Sequence, residues 1–432
     1  MDYNKLYKEK LTSKEEIAKL FKDNWVVGMD SYSSEADGIM DALCDYALAG
    51  GVKGIKVHAM LEGYPLPFYV NQELNGLVNG VSWFSSGYAK KAVNAGIADF
   101  IPSYYRDIPS TIRRFYDYDV CCISVAPMDE NGDFSLGGVA SYLDAVIDKS
   151  KRIFLEVNEY QPYAIHNTKI NIKDVDALIE NSHPLPVFGE TKNDEISDTI
   201  GNLIAEQICD GACIQLGIGA IPNAVGNALK CKHDLGIHTE LFTESMVDLI
   251  SCGAVNNSKK EINTGKTVTG IAFGSDKIYK FIDRNEDIKI MPIDYVNNPD
   301  VICQHSNFIS INSAVEVDLW GQVCSESIGT KHLSGTGGQV DYVRGACQSL
   351  GGKSFIAFAS TTKGISKIVS TLAPGAVVTT SKNDVDYIVT EYGTAHLRGE
   401  SLASRAKQLI AIAHPDFRDE LTFEAKKRGI MI

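Results

Sequence analysis

The chain has 432 residues, 44% of them hydrophobic and 22% charged, with a net charge of −14. This globular balance excludes a disordered, collagenous or coiled-coil protein. The acidic excess argues against a whole-surface affinity for nucleic acid or anionic lipid, and leaves an anion only a local site of backbone N–H groups and a few Lys or Arg.

Residues 1–21 are charged and amphipathic without an apolar core, and no run reaches about 18 apolar residues, so neither a secretory signal nor a membrane span is expected. Residues 25–29 (WVVGM), 54–61 (GIKVHAML), 119–126 (DVCCISVA) and 152–158 (RIFLEVN) are short, apolar and bounded by polar or turn residues, which predicts buried strands. Helical patterns lie between them, as at 35–48 and 141–150. This alternation predicts an α/β fold with largely parallel or mixed sheets and flanking helices.

Residues 181–195 hold two prolines, a glycine and a charged run, and read as an exposed linker or a crossing segment. The division expected there is an N-terminal domain over 1–188 and a C-terminal domain over 189–432. The next segment places Ile196, Ile200, Leu203, Ile204 and Ile208 on one helical face. Alternation then resumes with strand-like runs at 212–219, 266–274, 289–296, 308–321, 353–360, 375–380 and 386–393, and the chain closes on a helical stretch over 401–428. The ten cysteines form no CxxC pair, and buried free thiols in a reducing cytoplasm are the economical reading.

Four stretches carry candidate chemistry. In 213–229 (CIQLGIGAIPNAVGNAL) a strand ends at Leu216, Gly217 and Gly219 permit a tight turn, and Pro222 suits the first turn of a helix. Backbone N–H groups at such a turn suit an oxyanion or phosphate, although a plain strand–helix turn has the same pattern. In 234–250, Glu240, Glu244 and Asp248 have the spacing of one solvated helical face. The alternation of GIHTELF instead suggests a strand ending near Glu240 with a helix from about Thr243. The GTGG of 335–338 suits a backbone nest or a flexible loop, and Lys363 or Lys367 suits a phosphate contact or open solvent. No GxSxG, GxxxxGK[ST] or HExxH motif is present, and the nine histidines are dispersed, so a metal enzyme is not expected.

QLGIGAIPNAV, LGIHTELF, GQVCSESIGTKHLSGTGGQVDYVRGA and DYIVTEYGTAHLRG, in this order, resemble the acetyl-CoA hydrolase/transferase branch of the class I CoA-transferases. Within it the chain is most similar to the 4-hydroxybutyrate and butyryl-CoA:acetate CoA-transferases. The resemblance implies two related α/β domains with the active site at their interface. It implies Glu240 as a nucleophile that forms a glutamyl-CoA thioester. Gln215, Leu216, Gly217, Ile218 and Gly219 match the CoA-binding and oxyanion loop. Gly338 matches the glycine loop near the thioester, and Val315 and Lys363 match CoA contacts. Coenzyme A is then a substrate, exchanged between a short acyl group (butyryl or 4-hydroxybutyryl) and acetate, with no permanently bound cofactor and no metal. An acetyl-CoA hydrolase on the same scaffold is the alternative. A cytoplasmic homodimer or homotetramer is implied, and Tyr32, His58 and Tyr64 are candidates for the acyl pocket.

Overall fold

A computed structural model of the chain describes residues 2–166, 168–189 and 192–431. Two compact units emerge, Met1–Gly189 with Val268–Tyr295, and Glu190–Thr267 with Val296–Ile432.

The first unit carries β1 (Val26–Ser31), α1 (Asp37–Leu48), β2 (Ile55–Met60), β3 (Val78–Ser82), β4 (Asp99–Phe100), β5 (Val120–Val125), β6 (Ile153–Val157) and β7 (Ala177–Glu180). The strands lie in the order β4-β3-β2-β1-β5-β6-β7, every neighbouring pair parallel. All of β5 is buried, which is why these strands read as continuous apolar runs rather than alternating ones. α1 packs a stripe of Ile39, Met40, Leu43, Cys44 and Ala47 into the core.

Val268–Tyr295, placed in the C-terminal domain on sequence grounds, groups with the first unit. The cause is a set of long-range bonds. Ala140 donates to the Gly270 carbonyl and Ala272 to that of Gly138, at 3.0 and 2.7 Å. The Tyr32 hydroxyl donates to Gly274, and the Tyr32 and Phe273 rings lie 4.4 Å apart. No local sequence pattern announces pairings across 130 residues.

The second unit carries α2 (Glu195–Ala205), β8 (Cys213–Leu216), α3 (Ala220–Ala228), β9 (Gly236–Phe242), α4 (Glu244–Ser251), β10 (Phe308–Asn312), α5 (Gln339–Gln348), β11 (Lys353–Ala357), β12 (Tyr387–Thr390) and β13 (Gly393–His396). Its strands run β9-β8-β10-β11-β12-β13, parallel except for the final antiparallel pair. In each unit the first strand lies between the second and a later one, so the strand order reverses beside it. Such a reversal opens a crevice at the carboxyl ends of the strands. α2 starts on a reciprocal capping box between Asp194 and Ser197. Of its expected apolar face, Ile200 and Ile204 are buried, whereas Ile196 is exposed.

Three further expectations differ from the structure. Of the run 289–296 only the start is strand, in Ile288–Ile290, and Ile293–Val296 is a short helix that follows Pro292. Residues 375–380 form no strand: they meet Val323 at a single antiparallel bridge, at Thr380. The Val377 amide goes to the Ser327 hydroxyl and that of Thr379 to the Val323 carbonyl, so no ladder develops and both valines stay exposed. The free thiols are not uniformly buried either: Cys209, Cys231 and Cys252 are exposed. Among the described residues, no helix is long and apolar enough to cross a membrane.

Candidate active site

Glu240 stands near the end of β9, where the strand passes from fully to partly buried. Glu244 opens α4 and Asp248 pairs with Lys230 at 3.3 Å, so these acids do not share one helical face with Glu240. Asn297 donates through Nδ2 to Glu240 Oε2 at 2.6 Å. The backbone N–H of Gly338 also donates to the carboxylate. Burial pushes the Glu240 carboxyl up to about 7, against the downward pull of these two donors. A Cβ on Gly338 would lie 2.0 Å from Glu240 Oε2 and 2.3 Å from Asn297 Nδ2. Its φ of −95° suits any residue, so space rather than backbone conformation demands glycine there.

Asn297 escaped the sequence reading. Of the adjacent pair Asn297 and Asn298, the second caps the short helix Pro299–Ile302 by accepting from the Asp300 amide at 3.0 Å. The first is fully buried and turns toward Glu240. The only sequence signal is an asparagine one residue ahead of an Asn-Pro helix start.

The glycine turn follows β8, at the reversal of strand order in this unit. Gly219 has φ +113° and ψ −176°, a conformation that L side chains rarely adopt, and it precedes α3 without a side-chain cap. Leu216 is buried and Ile218 is 39% exposed. The Gly217 N–H is committed to the Ile311 carbonyl at 3.0 Å, so this amide is spent on β10 rather than kept for an oxyanion. Gln215 is also turned to β10. Its Oε1 accepts from the Ser310 hydroxyl at 3.0 Å and from the Ile311 amide at 3.3 Å. Val315 is half-buried, with its amide on the Cys324 carbonyl. Lys363 is exposed at the tip of the hairpin pairing Thr361–Thr362 with Ile365–Ser366, where it and Gly364 take positive φ. Lys367 sits instead over the Phe358 ring at 4.8 Å, and burial pushes its amine down to about 8.

The profile of the acetyl-CoA hydrolase/transferase N-terminal domain matches residues 1–188, and that of the C-terminal domain matches 274–425. The succinyl-CoA:cyclohexane-1-carboxylate CoA transferase of Geobacter metallireducens is 43% identical over 98% of this chain and 97% of its own. The chain belongs to the acetyl-CoA hydrolase/transferase family. The 4-hydroxybutyrate coenzyme A transferase of Clostridium kluyveri is 40% identical, covering 99% and 100%. The crystal structure of RipA from Yersinia pestis is 35% identical and superposes with a TM-score of 0.95 over 100% of both chains.

In this family member the carboxyl edge of the first unit's sheet gathers buried acids. Asp30, Glu35 and Glu62 are all shifted upward by burial, Asp30 to about 8. Glu35 Oε2 accepts from the amides of Gly63 and Tyr64, and Ser86 donates to Glu62 at 2.6 Å. Of the proposed pocket residues, Tyr32 is buried with its hydroxyl on the carbonyls of Pro186 and Gly274. His58 is a core histidine beside the Tyr118 hydroxyl at 3.3 Å, pushed down to about 4 by burial. Tyr64 lies edge-on to His183 at 5.4 Å. Among the described residues, one group of His and carboxylates has its ligating atoms within 4.8 Å: Asp37, Glu156 and His183. His183 is pushed up to about 9 by Glu156 and Asp37, and burial together with Glu156 pushes Asp37 up to about 7.

Proposed function

We propose that this family member transfers coenzyme A between short carboxylic acids, with Glu240 as the group that is acylated. The observation that supports this most directly is the Glu240 carboxylate held at Oε2 by Asn297 with Gly338 pressed against it. With Oε2 held by Asn297, Oε1 is the oxygen proposed to attack the acyl-CoA carbonyl. That attack expels the CoA thiolate and leaves a mixed anhydride in which Oε2 is the glutamyl carbonyl oxygen. The thiolate then attacks the glutamyl carbon. Charge builds on Oε2, where the Asn297 donor already points. Collapse releases the free acid and leaves the glutamyl-CoA thioester, which the acceptor acid converts back by the same steps. A carboxylate nucleophile needs no general base. Thioester free energy is nearly conserved, so no ATP is consumed.

The proposed acids are butyrate or 4-hydroxybutyrate with acetate as partner. Two relatives of similar identity are named for different acids, cyclohexane-1-carboxylate and 4-hydroxybutyrate. Tenfold discrimination is only about 1.4 kcal/mol in the transition state, within reach of one or two pocket side chains. Gly219 and the start of α3 are the proposed contact for CoA, together with Val315 and Lys363. The assembly is proposed as a cytoplasmic homodimer or homotetramer, which light scattering on the purified protein decides.

Borohydride after incubation with acyl-CoA tests the chemistry. It reduces a glutamyl thioester, so inactivation requires acyl-CoA, and the matching change in protein mass is absent in Glu240→Ala. Full activity in Glu240→Ala overturns the reading. CoA release that proceeds without an acceptor acid identifies the hydrolase instead. A panel of butyryl-, 4-hydroxybutyryl-, propionyl- and crotonyl-CoA against acetate ranks the substrates.

A further inference from the structure

Three parts of the site converge on one carbonyl. His238 lies two residues before Glu240 on β9, hence on the same face of the strand. It is fully buried, and its Nε2 is 2.7 Å from the Val296 carbonyl oxygen. Tyr342 stands in the first turns of α5, the helix that Gly338 leads into, and its amide donates to the Gly338 carbonyl at 3.0 Å. Its hydroxyl donates to the same Val296 carbonyl at 3.3 Å. Val296 immediately precedes Asn297, which holds Glu240. One acceptor therefore ties the strand of Glu240, the segment of Asn297 and the helix behind Gly338.

The chemistry of the contact fixes its direction. A carbonyl only accepts, so His238 bears its hydrogen on Nε2. Burial and the nearby His305, whose ring lies 5.2 Å away, keep His238 neutral. The Val296 carbonyl and the Asn297 nitrogen belong to one planar peptide. Two donors on that oxygen fix the plane of the peptide, and the plane sets the direction in which Asn297 leaves the backbone. Without them the Val296–Asn297 peptide, between the short helices Ile293–Val296 and Pro299–Ile302, loses the two side-chain donors on its oxygen, and the 2.6 Å contact to Glu240 loses that aim.

We propose that His238 and Tyr342 are positioning residues that clamp the Val296–Asn297 peptide and so aim Asn297 at Glu240. The inference rests on the reading of Glu240 as the acylated group. Neither residue touches the reacting atoms; both act through Asn297. Catalytic groups must be held within about 0.5 Å and 10–20°, and a misplacement near 1 Å costs on the order of 100-fold.

The test is steady-state kinetics of His238→Ala, His238→Gln and Tyr342→Phe, normalised to folded enzyme. His238→Ala is expected to lower kcat about 10- to 100-fold with the KM for acyl-CoA within about twofold. Tyr342→Phe, which deletes a single oxygen, is expected to lower kcat about 3- to 10-fold. His238→Gln restores a side-chain N–H donor and is expected to recover most of the loss. Because both residues hold one oxygen, the double variant loses less or more than the product of the single losses. Unchanged kcat in His238→Ala and Tyr342→Phe overturns the proposal, as does a His238→Gln no better than His238→Ala at equal folded fraction. Glu240→Ala is assayed in parallel. If it is active, the reading of Glu240 fails; if it is dead while His238→Ala keeps its kcat, only the clamp fails.

Discussion

Asn297 and Glu240 are 57 residues apart in sequence, yet Asn297 Nδ2 lies 2.6 Å from Glu240 Oε2. A neutral amide donor facing a carboxylate leaves the nucleophile its charge while fixing which oxygen is used. Replacing Asn297 by alanine removes a donor from the oxygen that carries charge when the glutamyl carbon is attacked. The expected loss is about 100-fold in kcat, the usual cost of one oxyanion donor. Asn297→Asp puts a second carboxylate against the first and is expected to lose more. Steady-state kinetics of the two variants check this, and an Asn297→Ala enzyme within threefold of wild type contradicts the assignment.

The pH dependence follows from the same pair. Attack requires ionised Glu240, and burial holds that carboxyl at about 7. In the free enzyme kcat/KM should fall about tenfold per unit below about pH 7 and stay level above it. Asn297 favours the charged form, so Asn297→Ala should move the limb upward. A raised carboxyl also costs the fold stability: the cost begins above the unfolded value near 4.5 and is complete above about 7. Glu240→Gln should accordingly melt higher than wild type at pH 8, and match it near pH 4. A kinetic limb near 4.5 would mean a solvated carboxylate.

Gly338 separates space from backbone. Its φ of −95° tolerates alanine, but the added Cβ would fall 2.0 Å from Glu240 Oε2. Gly338→Ala should therefore fold, with a Tm within a few degrees, and lose at least about 100-fold in kcat as the carboxylate is displaced. At Gly219 the reverse holds. No atom lies within 4 Å of a built Cβ, but φ is +113°. Gly219→Ala should cost stability on the order of 1–3 kcal/mol, seen as a lower denaturant midpoint.

Local pattern made much of this legible. β1, β5 and β6 are largely apolar runs because both faces are covered, β2 carries the exposed Lys56, and the bounds of all four fall within a residue or two of the structure. The alternation of GIHTELF correctly separated Glu240, at a strand end, from the helical acids Glu244 and Asp248. Long-range placement was not legible. Asn297 looks like its neighbour Asn298 until tertiary packing turns it inward. Val268–Tyr295 joins the first unit through bonds to residues 138–141, which no nearby sequence encodes. The glycine-rich turn suits Gly217 to an oxyanion, but the neighbouring strand β10 claims its N–H. Residues 375–380 have strand propensity, but their amides are directed to Ser327 and Val323.

His183 supplies a prediction away from Glu240. Its Nε2 lies 3.1 Å from Asp37 Oδ1 and 3.6 Å from Glu156 Oε1, and Nδ1 faces the Pro184 carbonyl at 3.1 Å. Glu156 is fully buried and also accepts from the Ile39 amide in the first turn of α1 and from Asn181. The Glu156 carboxylate first, and Asp37 with it, push His183 up to about 9. A raised histidine contributes stability that is whole below its unfolded value near 6.5 and disappears as pH rises through about 9. A quarter of the side chain remains in water, so the contribution is discounted to about 1 kcal/mol, or a Tm change of a few degrees. His183→Gln should melt lower than wild type at pH 7 and converge with it at pH 10. Parallel melting curves across that range, with a constant gap, would show that His183 is not the imidazolium joining α1 to β6.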